Sequence, residues 1–289
     1  MVLKVEIINE TNSYKIVILS KTMDKMKFPV FFMVVLLAFL FVACGPSDED
    51  KARAKVNYAK MLLEKQDTTQ ALLQLDSIAL LFPKARYSAN AAKNMTTEIN
   101  FELLHRKETA LDTIKSRIAE LETRFEKEKT EFDRYTQYIH KRQTFQRAWN
   151  RSFIQVHLDE RGDLYLSSNY YGKSSINHVG LRVYDGEINA KTDTVPLRDP
   201  NNRHSDFMEY KWEKVSYRNG KDNGVIEFIA NHADRKLKAV FLGKGQYYII
   251  LEDFDKMAVK DALALSKAIK SKNELEKEIQ VLQKKLQIN

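Results

Sequence analysis

Apolar positions repeat along this chain with different periods, and each period marks its own stretch. Between residues 51 and 100 the spacing is helical: Tyr58, Leu62 and Leu63 make one stripe, and Ala71, Leu72, Leu75, Ile78, Ala79 and Phe82 a second, closed by Pro83. This predicts a helical hairpin over 51–100. From Leu104 the spacing becomes heptad. Leu104, Leu111, Ile114, Ile118, Leu121, Phe125, Phe132, Tyr135 and Ile139 follow 4-3 steps, with Lys107 and Glu128 as polar interruptions. A coiled-coil helix is therefore predicted over 101–148, and the stretch 104–139 alone would be a rod of about 54 Å. A second heptad run, Leu265, Ala268, Leu275, Ile279, Leu282 and Leu286 with Lys272 in the seam, predicts another helix over 256–289.

Between the heptads, over 150–254, the period falls to two. Ile154, Val156 and Leu158 alternate with polar neighbours, as do Val179, Leu181 and Val183; Met208, Tyr210 and Trp212; Ile226, Phe228 and Ala230; Leu237, Ala239 and Phe241; and Tyr247, Ile249 and Leu251. Eight of the nine glycines fall between Gly162 and Gly245, and Asn219-Gly220 and Asn223-Gly224 supply turn residues. The expectation is a small antiparallel β barrel or sandwich whose most exposed loop is 189–206, with Pro196 and Pro200. The fold class is then α+β: an N-terminal helical hairpin, and an antiparallel coiled-coil stalk of two sequence-distant helices with the β domain inserted between them. Parallel pairing of the same heptads into a homodimer satisfies the pattern equally.

The remaining stretch is uniformly apolar. Lys21, Lys25 and Lys27 precede a run from Phe28 to Ala43 that ends at Cys44, the only cysteine of 289 residues. A basic flank, a short apolar core and a small residue before the cleavage point form a signal peptide over 1–43, with Met23 or Met26 as the natural start and 1–22 outside it. The run is short of the roughly 20 apolar residues that a span needs, and it leads into Gly45-Pro46 rather than a basic flank. The arrangement resembles the lipobox of bacterial lipoproteins, although Phe41 stands where that family usually has Leu. The resemblance implies acylation of Cys44 and attachment to the outer membrane. Ser47, Asp48, Glu49 and Asp50, within an acidic tether over 44–50, resemble the surface-export signal of Bacteroidota lipoproteins and imply the cell surface rather than the periplasmic face. The segment from Tyr58 through Ala71 to Pro83 is similar to a single tetratricopeptide repeat.

Without residues 1–43 the chain carries 42 basic and 36 acidic side chains, a net +6 spread over alternating signs. That suits solvated helices and excludes a concentrated nucleic-acid footprint. Acylation of Cys44 leaves no thiol for disulfides, catalysis or metal. There is no G-x-S-x-G elbow, and Gly172-Lys173-Ser174 lacks the glycine of a phosphate loop, which is Ser167 here. The six histidines are scattered, with no H-E-x-x-H; His204 and Asp206 could share an ion in the loop. Asp159-Glu160 and Glu252-Asp253 read as turn residues, and Arg161-Gly162-Asp163 as a hairpin turn. No catalytic residue, metal site or cofactor is expected.

Tyr165, Tyr170, Tyr171 and Tyr184 are the candidate binding surface, since exposed tyrosines stack sugars or hold peptides. The function these features imply is a non-catalytic, membrane-anchored envelope lipoprotein presenting its β domain to another envelope protein. A glycan- or peptide-binding module is the alternative, and a small hydrolase a second.

Overall fold

A computed structural model describes residues 46–131, 133–143 and 150–287. Cys44, the apolar run before it and the signal-peptide reading lie outside the described residues. Among those residues, no helix is long and apolar enough to cross a membrane. The fold is mixed α+β; among the described residues there are five α-helices and two antiparallel sheets, and neither sheet closes into a barrel. The chain divides into two compact units at Thr96 and Thr97.

The first unit contains α1 (Asp48–Glu64), α2 (Thr68–Leu81) and the first turns of α3 (Arg86–Glu122). The acidic tether of the sequence reading is shorter than expected, because Ser47-x-x-Asp50 is a capping box. Ser47 Oγ accepts from the Asp50 amide at 3.2 Å while the Asp50 carboxylate accepts from the Ser47 amide at 3.3 Å. Those bonds to Ser47 hold the Asp50 carboxyl below the usual carboxylate range. Glu49 reaches away from its own helix: its Oε1 accepts from the Ser88 amide at 2.8 Å and from Ser88 Oγ at 2.6 Å, satisfying a first-turn donor of α3. Packing falls on small residues. Ala52, Val56 and Ala59 of α1 and Ala71, Leu75 and Ile78 of α2 are buried, whereas Tyr58 is half exposed, so the α1 stripe lies one step round from the predicted one.

The second unit holds the rest of α3 and all that follows. Strands β1 (Phe125–Glu128), β2 (Gln137–His140), β3 (Phe153–Asp159), β4 (Leu164–Gly172), β7 (Asn202–Phe207) and β8 (Tyr210–Tyr217) form a six-stranded sheet in the order β1-β2-β3-β4-β8-β7. Strands β5 (Gly180–Asp185), β6 (Ile188–Lys191), β9 (Lys238–Leu242) and β10 (Gln246–Ile250) form a second in the order β10-β9-β5-β6. Helix α4 (Val225–Asn231) precedes β9, and α5 (Asp253–Leu286) closes the unit. One core unites them: Ile154, Leu158, Leu166 and Tyr217 from the large sheet, Leu181, Val183 and Phe241 from the small one, Ile229 from α4, and Ala258, Val259, Ala262 and Leu265 from α5. Alanines along α5 let the helix lie close to the strands. At Gly162, where φ is +84°, an added Cβ would meet the Ser266 carbonyl at 3.0 Å, and Ser266 Oγ donates to the Gly162 carbonyl at 2.6 Å.

Past the sheets, α5 meets α3. Leu104, Leu111, Ile279 and Leu282 bury one another, and each such leucine contributes about 1.5–3 kcal/mol. Lys107 pairs with Glu278 at 2.7 Å and Arg124 with Asp261 at 2.5 Å. Seventeen residues forward from Lys107 to Arg124, just past the end of α3, are matched by seventeen backward on α5, so the two helices run antiparallel.

Four sequence expectations are corrected. The helix predicted over 101–148 stops at Glu122, and its continuation forms β1 and β2. Thr123 Oγ1 donates to the Glu120 carbonyl at 2.6 Å as the chain turns, and Phe125 and Tyr138 are buried in the sheet core instead of in a helical seam. The β region therefore begins before residue 150. Ile226, Phe228 and Ala230 belong to α4, not to a strand, because Val225, Ile226 and Ile229 make one helical face following Gly224 at φ +80°. In β8 the buried row is Glu213, Val215 and Tyr217, while Met208 lies in the turn at φ 52° and is 86% exposed. The loop 189–206 is bracketed by β6 and β7, with Val195 and Asn202 buried.

Asp261 joins the helices to the sheet. Besides Arg124 it accepts from His140 Nε2 at 3.1 Å, with both side chains buried, and the Arg142 amide donates to His140 Nδ1 at 3.2 Å. Burial holds the imidazole below its ordinary range although Asp261 draws it upward. Asp261→Ala is expected to destabilise by about 1–3 kcal/mol, because buried His140 loses its acceptor and Arg124 one of its partners. Urea unfolding measures this, and a loss below about 1 kcal/mol, the value of a surface pair, would contradict the assignment.

Candidate functional site

The four tyrosines do not share one face. Tyr170 points into the core, where it lies edge-on to Tyr247 at 5.2 Å and donates to the Ser174 carbonyl at 2.8 Å. A Cβ at Gly172 would collide with its ring, which accounts for the glycine of Gly172-Lys173-Ser174. Tyr184 is on the small sheet, with the Arg182 guanidinium 5.1 Å from its ring. Tyr165 and Tyr171 alone occupy the same face, at opposite ends of β4. Tyr165 stacks on His157 at 4.5 Å and accepts from Arg218 at 2.5 Å.

Tyr171 belongs to the largest partly exposed aromatic group on that face. Tyr210 stacks on it at 4.7 Å with 16° between the planes, and Trp212, its neighbour across the β4–β8 register, lies at 4.8 Å. Toward Tyr165 the register continues with Asn169 opposite Lys214 and Ser167 opposite Ser216. That face of the large sheet thus grades from partly exposed aromatics to a polar stretch in which Asn169 and Ser167 are buried and Lys214 is exposed.

Behind it lies a constellation that sequence spacing does not reveal. Glu213 Oε2 faces His178 Nδ1 at 2.8 Å, His178 Nε2 faces Ser168 Oγ at 2.9 Å, and Ser168 Oγ faces the Tyr217 hydroxyl at 2.9 Å. A carboxylate only accepts, so Nδ1 carries the proton that it shares with Glu213. The order serine, histidine, carboxylate matches a hydrolytic triad, but access does not: Ser168, His178 and Glu213 are 0%, 0% and 1% exposed. Ser168 also lies mid-strand on β4, between β3 and β8, without a turn to present its hydroxyl. Glu213 serves the loop before β5 instead. Its carboxylate accepts from the amides of Ile176, Asn177 and His178, each at 2.8 Å, and from Ser175 Oγ at 2.5 Å. Gly243 holds that loop from the other side, since a Cβ there would stand 2.4 Å from the Ile176 carbonyl. Burial pushes the Glu213 carboxyl upward, but the bonds from His178, Ser175 and the backbone prevail and bring it down to about 2.

Compared with family models, curated proteins and solved structures, the chain matches none.

The other residues singled out in the sequence have local roles. Asp159 accepts from the amides of Arg161 and Asp163 and pairs with the Arg161 guanidinium at 2.7 Å, so Arg161-Gly162-Asp163 is held as the β3–β4 turn. Glu252 and Asp253 start α5. His204 bonds Asn202 at 2.9 Å, and Asp206 pairs with Lys211 at 2.7 Å, so the two do not converge. Among the described residues, no group of His, Cys, Asp and Glu could hold a metal ion.

The sequence reading passed over one feature, the free edge of the small sheet. Three of the four sheet edges carry charge: Glu126, Lys127 and Glu128 on β1, Arg203 and Asp206 on β7, and Lys191 on β6. β10 is Gln-Tyr-Tyr-Ile-Ile, with Tyr248 71% and Ile250 65% exposed. Charged edges resist strand addition, and an uncharged one invites it. The absence of charge in a row of strand formers is the signal that could have identified it.

Two desolvated ionisable groups make stability depend on pH. His157, desolvated and facing Lys214 and Arg218, is pushed from 6.5 down to about 3. Like Glu213, it binds fewer protons folded than unfolded, so both contributions are complete at high pH and are lost in acid. The His157 contribution fades as pH falls from 6.5 toward about 3, and that of Glu213 as it falls from 4.5 toward about 2. Melting temperatures across an acid series are expected to fall in those two windows, with His157→Gln flattening the first. A wild-type Tm that stays level from neutral pH down to 4.5 would contradict the His157 assignment.

Proposed function

We propose that this chain is a non-catalytic outer-membrane lipoprotein, anchored through acylated Cys44, whose α3–α5 coiled-coil stalk presents the inserted β body to another envelope protein. The observation that carries the protein-binding part is the β10 edge, where unpaired backbone groups and exposed Tyr248 and Ile250 form a ready template for a partner strand. The sealing of Ser168, His178 and Glu213 supports a non-catalytic role, because no substrate carbonyl reaches Ser168 without opening the core. The anchoring part rests on the lipobox-like Cys44 and the acidic Ser47, Asp48, Glu49 and Asp50, read as placing the protein at the cell surface. In α1 the same four residues also cap a helix, so the proposed export signal is displayed on an ordered first turn. One acyl chain anchors only marginally, and stable attachment requires the several chains of a bacterial lipoprotein. The tetratricopeptide-like resemblance is kept for α1 and α2 as a helical hairpin, not as a peptide groove.

A second reading, binding of a glycan, is favoured by the Tyr171, Tyr210 and Trp212 stack. It predicts that Trp212→Ala removes binding to a glycan array, and an array without signal for the wild-type chain counts against it.

Two measurements test the main reading. Cys44→Ser is expected to move the protein from the membrane to the soluble fraction, and membrane retention would overturn the anchor. A photo-crosslinking amino acid at Tyr248 is expected to capture an envelope protein in cells, while one at exposed Met208 on the other sheet is not. Equal yields at both positions would overturn the assignment of the binding face.

A further inference from the structure

The outward face beside β10 carries a one-sided charge. Residues opposed across neighbouring strands point to the same side of a sheet, so the registers place side chains in rows. One row is Tyr248, Val240, Arg182 and Lys191; the next is Ile250, Lys238, Tyr184 and Asn189. Neither row contains an acidic residue. Arg182, Lys191 and Lys238 are exposed, and among the described residues none of the three has an ion-pair partner. Elsewhere on the β body some surface cations are matched, Arg161 with Asp159, Lys211 with Asp206, Lys221 with Asp199 and Arg235 with Asp185, while among the described residues others such as Arg198, Arg203 and Lys214 are not. On the sheet whose edge strand is uncharged, Arg182, Lys191 and Lys238 thus share two adjoining rows with no acidic residue among them.

We propose that β10 receives an extended acidic segment of the partner protein as an added strand, with its carboxylates reaching back to Lys238 and the charge of Arg182 one strand further on. This rests on the reading of the β body as a protein-binding module and names the chemistry of what it binds. A strand added beside β10 lies about 10 Å from β9, two strand spacings, and a lysine and a glutamate together span that distance. Its alternate side chains fall in the rows of Tyr248 and Ile250, whose apolar surfaces shield the ion pairs from water. Backbone pairing supplies affinity whatever the sequence, while the cations select an acidic segment over a basic one.

The test uses the full chain with Cys44→Ser and a short synthetic peptide alternating glutamate with valine, set against its lysine–valine counterpart. In fluorescence anisotropy the acidic peptide is expected to bind about ten-fold or more tightly than the basic one, in proportion to two or three exposed ion pairs. Amide exchange should slow at 246–250 on binding. N-methylation of alternate peptide amides should abolish the interaction, and Lys238→Glu with Arg182→Glu, both at exposed positions, should reverse the charge preference without lowering Tm. Equal affinity for the two peptides, failure to bind either, protection elsewhere in the chain, or indifference to N-methylation would each overturn the proposal. So would binding to phosphatidylglycerol vesicles that Lys238→Glu removes while the acidic peptide stays unbound, an outcome that assigns the face to a lipid surface. Capture of a protein through Tyr248 in cells without peptide selectivity would sink this inference alone and leave the module reading standing.

Discussion

The second unit depends on how α5 closes it, and Asp261 is where that closure is fixed. This carboxylate sits on the helix face that covers the large sheet, and it binds Arg124 just beyond the end of α3 and His140 at the end of β2. A single buried anion therefore ties a helix end, a strand end and the closing helix. Around it, α5 covers the strands with Ala258, Ala262 and Leu265; further along, the helix meets Leu104 and Leu111 of α3 through Ile279 and Leu282. Changing partner along one helix requires a fixed rotational setting, which a buried ion pair sets more sharply than interchangeable leucines.

A second buried anion organises the other end of the β body. Glu213 occupies the inward row of β8 and gathers three successive amides from the loop before β5, so that a charge links the large sheet to the start of the small one. His178, Ser168 and Tyr217 extend the network across the core. Each member has a partner, which is the condition under which a polar network stabilises a core instead of weakening it. A serine, a histidine and a carboxylate in the right order are thus a joint between sheets. Geometry without access carries no chemistry.

What could be read from the sequence follows from what each residue type reports. Leu104, Leu111, Ile279 and Leu282 were legible as buried positions because large aliphatic residues at helical intervals, flanked by charges, mark a helix face that packs. The same spacing misled at Phe125, Tyr135 and Ile139, since aromatic and β-branched residues serve strands as well as seams. Ile226, Phe228 and Ala230 alternate, but with Val225 and Ile229 they also fit a helix, and seven residues are too few for periodicity to decide. The face of β8 was read in reverse because Glu213 stands on the inward row, and one buried carboxylate outweighs a hydrophobic pattern once its donors are assembled. Those donors come from residues 175–178, and no local pattern predicts contacts across that separation. The tyrosines were visible as candidates, but which of them point outward is set by register, and register was not legible.

The position of α5 in the chain has a consequence for how the molecule is made. The turn after α3 is completed early, yet the helix that binds it begins only at Asp253, after every strand of both sheets. Until α5 is present, Ile154, Leu158 and Leu166 lack part of their cover, and Arg124 and His140 have no anion between them. The growing chain can form α1, α2 and local hairpins, but not the closed second unit. Such non-local closure is slow, and it leaves apolar strand surface exposed in the interval. The closing step of the second unit is therefore reserved for the last helix of the chain.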